Sequence, residues 1–380
     1  MGKGLPGRAR GVKGRFAAFM GSFAAFMGRR GLVQAFYKYV FGPVLSGRLG
    51  RSLGLDLLGA RVCSMNCVYC ESGPLARLTL TRAPYVPARD LLAELARWEQ
   101  ARQEAGEPRP DVVSLGGLGE PTLNSELPEI IAGVRRLLPG VPVAVLTNSS
   151  LMADAQVRAE LAQADLVLPS LDSLVPEEFA AVNRAHPELN PKHIADGILS
   201  FRNERQGFRK DSQASHSKLF LEILLVDGVN DSEQNLELLA AFCNRLQPDR
   251  VDVMTLSRPG AEPQARPVDQ ATLTRWRARL EPTAASTAAS GAASAATPAG
   301  ARLAQYVKIG QEESRGMLPD QIRTRILASL ARRPQTGAQL AEALLADQGA
   351  VTSALAELLG AGRILARQQD GQDYYLARTE

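Results

Sequence analysis

Residues 63–70 read Cys63-Ser64-Met65-Asn66-Cys67-Val68-Tyr69-Cys70, which places three of the chain's four cysteines within eight positions. The spacing is Cys-x3-Cys-x2-Cys. The octet follows an apolar run, Leu53–Leu57, that reads as a β-strand, so a strand-to-helix loop puts the cysteines at the carboxyl end of a sheet. Three thiolates this close together can wrap one side of a soft metal centre. A closed structural zinc site takes four ligands. No neighbour completes such a set, because His186, His193, His216 and Cys243 all lie more than a hundred residues away. In a four-iron cluster, normally held by four cysteines, three ligands leave one iron open to a small molecule. The competing readings are a zinc site and three unrelated core cysteines, since cysteine is often buried.

Outward from this octet, strand-like and helix-like patterns alternate from Leu53 to Leu280. Strand-like runs are Leu53–Leu57, Val112–Leu115, Val141–Leu146, Leu166–Pro169, Leu219–Val226 and Val251–Thr255. Helical patterns include Ala88–Glu104, Leu127–Leu138, Asp154–Ala162, Ser232–Leu246 and Asp269–Leu280. Continuous apolar strands alternating with helices predict a parallel sheet with helical cover. Six such units in about 230 residues fit an α/β fold, a partial (β/α)6 TIM-like barrel over residues 39–281. Its chemistry belongs at the carboxyl ends of the strands.

Those ends carry further polar groups. Gly116-Gly117-Leu118-Gly119-Glu120-Pro121 follows the second strand. Glycines let the backbone approach a ligand closely, although a tight strand-to-helix connection uses them too. Thr147-Asn148-Ser149 ends the third strand and Ser170-Leu171-Asp172 the fourth. Both place small polar groups where ribose hydroxyls or a carboxylate need hydrogen bonds, or else serve as turns and helix caps. Asn183-Arg184, Asn230-Asp231 and Arg258-Pro259 fall in later loops, where each reads as a structural turn or as a group facing the same cavity.

Taken together, these motifs resemble the radical S-adenosylmethionine superfamily, whose signature is Cys-x3-Cys-x2-Cys after the first strand. The resemblance implies that Cys63, Cys67 and Cys70 hold a [4Fe–4S] cluster. It implies that the free iron chelates the amino and carboxylate groups of S-adenosylmethionine, and that Tyr69 packs near the adenine. The segment with Gly117, Gly119 and Glu120 is expected to bind the ligand's ammonium. Leu118 departs from the plain Gly-Gly-Glu form, although a Gly-x-Gly-Glu-Pro variant is similar to one subgroup. Asn148, Ser170 and Asp172 complete the expected cofactor site. A one-electron donor such as flavodoxin or ferredoxin is implied, with a 5′-deoxyadenosyl radical taking hydrogen from a substrate.

Residues 39–280, about two thirds of the chain, look most like the wyosine-synthetase-related group, which modifies a guanine base in tRNA. The resembling stretches are Tyr39–Pro43, Gly47–Gly54, Cys63–Glu71, Gly119–Leu123 and Gly228–Ser232. True wyosine synthases resemble this core but add a second cluster on three upstream cysteines. This chain has no cysteine before Cys63. The expectation is a related single-cluster enzyme acting on tRNA or another RNA, with a protein or peptide as the alternative substrate.

The flanks differ in composition. Up to Leu55 there are ten basic residues and no acidic one, although the whole chain carries only +4. Residues 1–38 read as a basic, disordered extension that is a solvated tail or an arm for nucleic acid or an anionic membrane. Within it, residues 16–28 repeat a seven-residue unit, FAAFMGS then FAAFMG, with Phe and Met on one helical face. Gly21 and the following Arg29-Arg30 argue against a signal peptide, and Pro6 against myristoylation. Residues 282–317 read as an Ala/Ser-rich linker. Residues 318–380 read as three helices and a hairpin around Asp370-Gly371, a small winged helix-turn-helix domain. Ala346–Gly362, its recognition helix, contains no Lys or Arg, so protein contact or substrate presentation is expected rather than DNA binding.

With 45% hydrophobic residues among 380, the chain can bury a large core, which excludes a disordered protein. No apolar run reaches the ~18 residues of a membrane span. The expectation is a cytoplasmic, multi-domain enzyme. A redox-sensing regulator that answers through the winged helix is the second reading. It accounts for the last domain but not for the Gly-x-Gly-Glu-Pro turn or the six β/α units.

Overall fold

A computed structural model describes residues 37–73, 75–207, 217–280, 319–331, 333–344, 346–369 and 371–378. The basic arm with its repeat, the Ala/Ser-rich linker and His216 lie outside the described residues. In chain order the larger unit carries β1 (Val40–Ser46), β2 (Gly50–Asp56), β3 (Val62–Cys63), β4 (Arg77–Leu78), α1 (Ala88–Ala105), β5 (Val112–Gly116) and α2 (Leu127–Leu137). It continues with β6 (Val143–Thr147), α3 (Ala155–Leu161), β7 (Leu166–Pro169), α4 (Pro176–Asn183), α5 (Pro191–Gly207), β8 (Lys218–Leu225), α6 (Glu233–Leu246), β9 (Arg250–Thr255) and α7 (Gln270–Leu280).

Seven strands form one sheet in the order β1-β2-β5-β6-β7-β8-β9. All pairs from β2 to β9 are parallel, and each of these strands is followed by helical cover. The sheet stays open between β1 and β9, so this is a partial barrel of six β/α units. The strand β1 is an addition to the expected set. It pairs antiparallel with β2 and contains Gly42 and Pro43, which break the alternation that marks a strand in sequence.

Successive strand residues point to opposite faces. On β8, Leu219, Leu221, Ile223 and Leu225 join the main core under the helices. Phe220, Glu222 and Leu224 occupy the other face, toward the barrel interior. There Arg48, in the turn between β1 and β2, forms an ion pair with Glu222. Strands β5, β6 and β7 separate β2 from β8, so this pair spans the barrel. Beside it, Leu49 packs with Val112, Ala144 and Leu168. The hairpin turn thus plugs the amino-terminal end of the barrel and leaves the carboxyl end for the site.

The carboxyl-terminal unit contains α8 (Pro319–Leu330), β10 (Gln335–Thr336), α9 (Gly337–Leu344), α10 (Gln348–Gly360), β11 (Ile364–Gln369) and β12 (Gln372–Ala377). Its sheet order is β10-β12-β11, over a core of its own that includes Ile326, Leu340, Val351 and Ile364. Thr336 and Gln339 form a reciprocal capping box at the start of α9, with N–H to side-chain oxygen distances of 3.1 and 3.2 Å. The hairpin turns at Gly371, whose φ of +74° suits glycine. Its strands touch the barrel: Tyr374 Oη donates to Ser257 O at 2.9 Å, and Arg367 Nη1 donates to Gly260 O at 3.4 Å.

Burial pushes the Glu222 carboxyl up to about 7, against the opposing pull of Arg48. A carboxyl raised in the folded state contributes most below its unfolded value of ~4.3, and that contribution is lost as pH rises through about 7. Relative to Glu222→Gln, the wild type should therefore lose on the order of 2 kcal/mol between pH 5 and pH 7.5. Chemical denaturation of both proteins at each pH reads this out. Parallel pH profiles would show that Glu222 titrates normally.

Candidate functional site

The cysteine loop begins at the end of β3 and is held from two sides. On one side lies the end of α4. Val68 N–H donates to Val182 O at 2.9 Å, Asn66 N–H to Asn183 O at 3.0 Å, and His186 N–H to Ser64 O at 2.9 Å. On the other side lies the segment after β9. Glu262 N–H donates to Val68 O at 3.0 Å, and Gly260 sits so close that a Cβ there would lie 2.7 Å from the Tyr69 Cα. Ion pairs Arg184–Glu262 and Arg258–Glu71 lace the two sides and the loop together. Two of the three late-loop motifs, Asn183-Arg184 and Arg258-Pro259, thus act on the cysteine loop itself. Asn230 instead caps backbone, donating to Asp172 O at 2.9 Å and Leu224 O at 2.8 Å.

The glycine turn after β5 supports the loop from below. Glu120 N–H donates to Val62 O at 3.2 Å. A Cβ on Gly119 would lie 1.8 Å from that same carbonyl oxygen. Gly117 has φ of +95° and lies against Asp56. Each glycine's close approach is therefore to the chain's own strands.

Glu120 is 1% exposed. Its Oε1 accepts from Thr122 Oγ1 and Thr147 Oγ1, both at 2.6 Å, and its Oε2 from Asn148 N–H at 2.7 Å. Asp172 is equally enclosed. Its Oδ2 accepts from Tyr69 Oη at 2.5 Å and Asn183 Nδ2 at 2.7 Å, and its Oδ1 from Leu224 N–H at 2.9 Å. Burial raises both carboxyls above the usual range, while these donors pull them back down. The Asn148 amide donates to Ser64 Oγ at 2.9 Å and reaches Cys63 Sγ at 3.5 Å. Ser170 O accepts from Ser149 Oγ at 2.9 Å. The Tyr69 ring packs against an apolar group that includes Val68, Val182, Val226 and Leu256.

Tyr69, Asn148, Ser170 and Asp172 line one narrow cleft with Met65, Leu171, Phe179, Asn183 and Ile194. Gly117, Gly119 and Glu120 stand behind it, joined to it through Asn148. Asn183 was expected only as one residue of a late loop. Its contact with Cys67 across 116 positions leaves no local sequence signal. Gly260 and Tyr374 were not foreseen for the same reason.

The donor set fits an iron–sulfur centre. All four cysteines are free. Burial, with Glu120 nearby, pushes the Cys63 thiol up to about 12. Burial and Asp172 raise Cys67 further. Buried thiols in an acidic neighbourhood ionise only when a metal cation balances them. Among the described residues no three His, Cys, Asp or Glu side chains stand close enough to hold a single ion. The narrow cleft also holds one unmet polar atom. Asn183 Oδ1 is buried without a hydrogen-bond partner, and a ligand N–H or hydroxyl would satisfy it.

Gly119→Ala should force β3 and the glycine turn apart. The expected cost is about 1–3 kcal/mol, with less iron bound per chain after anaerobic reconstitution. A thermal melt and an iron assay test it. Wild-type values in both would show that the contact with Val62 O carries no strain.

A family model described as the radical SAM superfamily matches residues 58–239. A UPF0026 protein of Synechocystis is 37% identical over 226 residues, which are 58% of this chain and 76% of that protein. A Brachyspira hyodysenteriae protein named GTPase Obg is 27% identical over 327 residues, 86% of this chain. The chain spans 43% of that relative's length and contains no Gly-x4-Gly-Lys-Ser/Thr phosphate loop. A radical SAM methyltransferase structure from Sphaerobacter thermophilus superposes with a TM-score of 0.44 at 20% identity, covering 60% of this chain and 62% of that one. With the clamped Cys-x3-Cys-x2-Cys loop at the mouth of a partial barrel, the chain belongs to the radical SAM superfamily and is related to the UPF0026 proteins.

Proposed function

We propose that this chain is a single-cluster radical S-adenosylmethionine enzyme that modifies RNA. The observation that carries the reading is the loop of three free thiols, clamped beside a polar cleft at the carboxyl ends of the parallel strands. Cys63, Cys67 and Cys70 would hold a [4Fe–4S] cluster, with S-adenosylmethionine beside the loop at the barrel mouth. A cluster held by Cys63, Cys67 and Cys70 would supply one-electron reductive cleavage of S-adenosylmethionine, and through it hydrogen-atom abstraction from the substrate.

The chain's own residues supply position and exclusion. The two clamps hold the loop against the barrel mouth. Ser170 and Asn183 offer the ligand hydrogen-bonding edges, and Val68, Val182 and Val226 offer it an apolar wall. The plug of Arg48 and Leu49 closes the far end, which keeps water from a reactive intermediate. Flavodoxin or ferredoxin is the proposed electron donor.

RNA is the substrate class that the basic arm and the likeness to the wyosine-related group favour. The carboxyl-terminal unit is read as a winged helix that presents the substrate. Its hairpin docks through Tyr374 on the segment that clamps the cysteine loop, and α10 carries no basic residue to grip DNA.

Anaerobic reconstituted protein given dithionite and S-adenosylmethionine should yield 5′-deoxyadenosine, and Cys67→Ala should yield none. RNA should stay with the protein through anaerobic purification. No nucleoside product from intact protein would refute the enzyme, and a bound peptide in place of RNA would replace the substrate class.

A further inference from the structure

We infer that Asn148 and Asn183 set the reduction potential of the centre on the cysteine loop, by donating side-chain N–H hydrogen bonds to two of its sulfurs. The inference rests on the reading of Cys63, Cys67 and Cys70 as cluster ligands. Asn148, just past the end of β6, directs Nδ2 to Cys63 Sγ at 3.5 Å. Asn183, the last residue of α4, directs Nδ2 to Cys67 Sγ at 3.4 Å. Among the described residues Cys70 receives no side-chain N–H, so the support is uneven.

Which end of each amide faces the sulfur follows from its other partners. The Ser150 N–H can only donate, and it donates to Asn148 Oδ1 at 3.1 Å. The Asp172 carboxylate can only accept, and it accepts from Asn183 Nδ2 at 2.7 Å. Neither amide can flip without losing a bond inside a buried site. Two distant elements therefore converge on one loop, each with its donor turned inward.

The two buried carboxylates act as the aiming devices. Glu120 anchors the Asn148 backbone N–H at 2.7 Å and is itself held by Thr122 and Thr147. Asp172 is held by Tyr69 Oη and Leu224 N–H while it fixes the Asn183 amide. Both carboxylates have protein donors at both oxygens, so their first task is to position neighbouring amides. Glu120 and Asp172 are thereby positioning residues that act through the asparagines.

An N–H donor draws charge from a thiolate and stabilises the reduced, more negative cluster. The bond gains weight because the site is enclosed and of low dielectric. Losing one donor should make reduction about tenfold less favourable, which is about 59 mV for one electron.

The test is a redox titration followed by electron paramagnetic resonance on reconstituted wild type, Asn148→Ala and Asn183→Ala, with iron and sulfide measured on each. Variants with full iron and sulfide should titrate at more negative potential, by about that step each. Full content with the wild-type potential overturns the inference. A second measurement needs no variant. In wild type labelled with 15N at asparagine side-chain nitrogens, electron spin echo of the reduced cluster should show nitrogen coupling. No coupling overturns the inference even if a variant fails to take up iron. A wild type with no four-iron signal overturns the reading beneath it, a result distinct from an intact cluster that ignores both asparagines.

Discussion

The enclosure of the Cys63 and Cys67 thiols next to two buried carboxylates is the constraint on which the rest of the structure turns. Sulfur is tolerated in a core, but thiolate is not unless positive charge accompanies it. Here burial and the nearby Glu120 and Asp172 raise Cys63 and Cys67. The arrangement stores a demand for a cation at the mouth of the barrel. The surrounding structure satisfies the two carboxylates, so that Glu120 accepts from threonines and backbone, and Asp172 from Tyr69, Asn183 and Leu224.

The fold serves that constraint at both ends. The parallel strands deliver Gly119, Asn148, Ser170 and Asp172 to one edge because each strand ends in the same direction. At the opposite edge Arg48 crosses to Glu222 and closes the barrel interior. The carboxyl-terminal hairpin then contacts Ser257 and Gly260, on the same segment whose Glu262 N–H holds Val68. A chain of short contacts runs from that unit to the cysteine loop.

Much of this was legible in the sequence where the signal is local. Apolar runs such as Leu219–Val226 gave strands, and the glycine turn and Cys-x3-Cys-x2-Cys spacing fell at strand ends. The carboxyl-terminal hairpin was readable because its turn residues are adjacent in sequence. The hairpin strand β1 was not, because Gly42 and Pro43 hide its periodicity. The role of Asn183 was also hidden, since it depends on a loop formed 116 positions earlier. Tertiary contact across such distances leaves no pattern in neighbouring residues. The same reason explains why Glu120 and Asp172 read as ligand contacts in sequence, while in the fold they are occupied in holding amides and hydroxyls.

The most direct test of the central claim is electron paramagnetic resonance of the reduced, oxygen-free protein before and after S-adenosylmethionine is added. The account predicts a four-iron signal that changes on addition, because the ligand binds the iron that lacks a cysteine. A protein with no such signal, or with one that the nucleoside leaves unaltered, would contradict it.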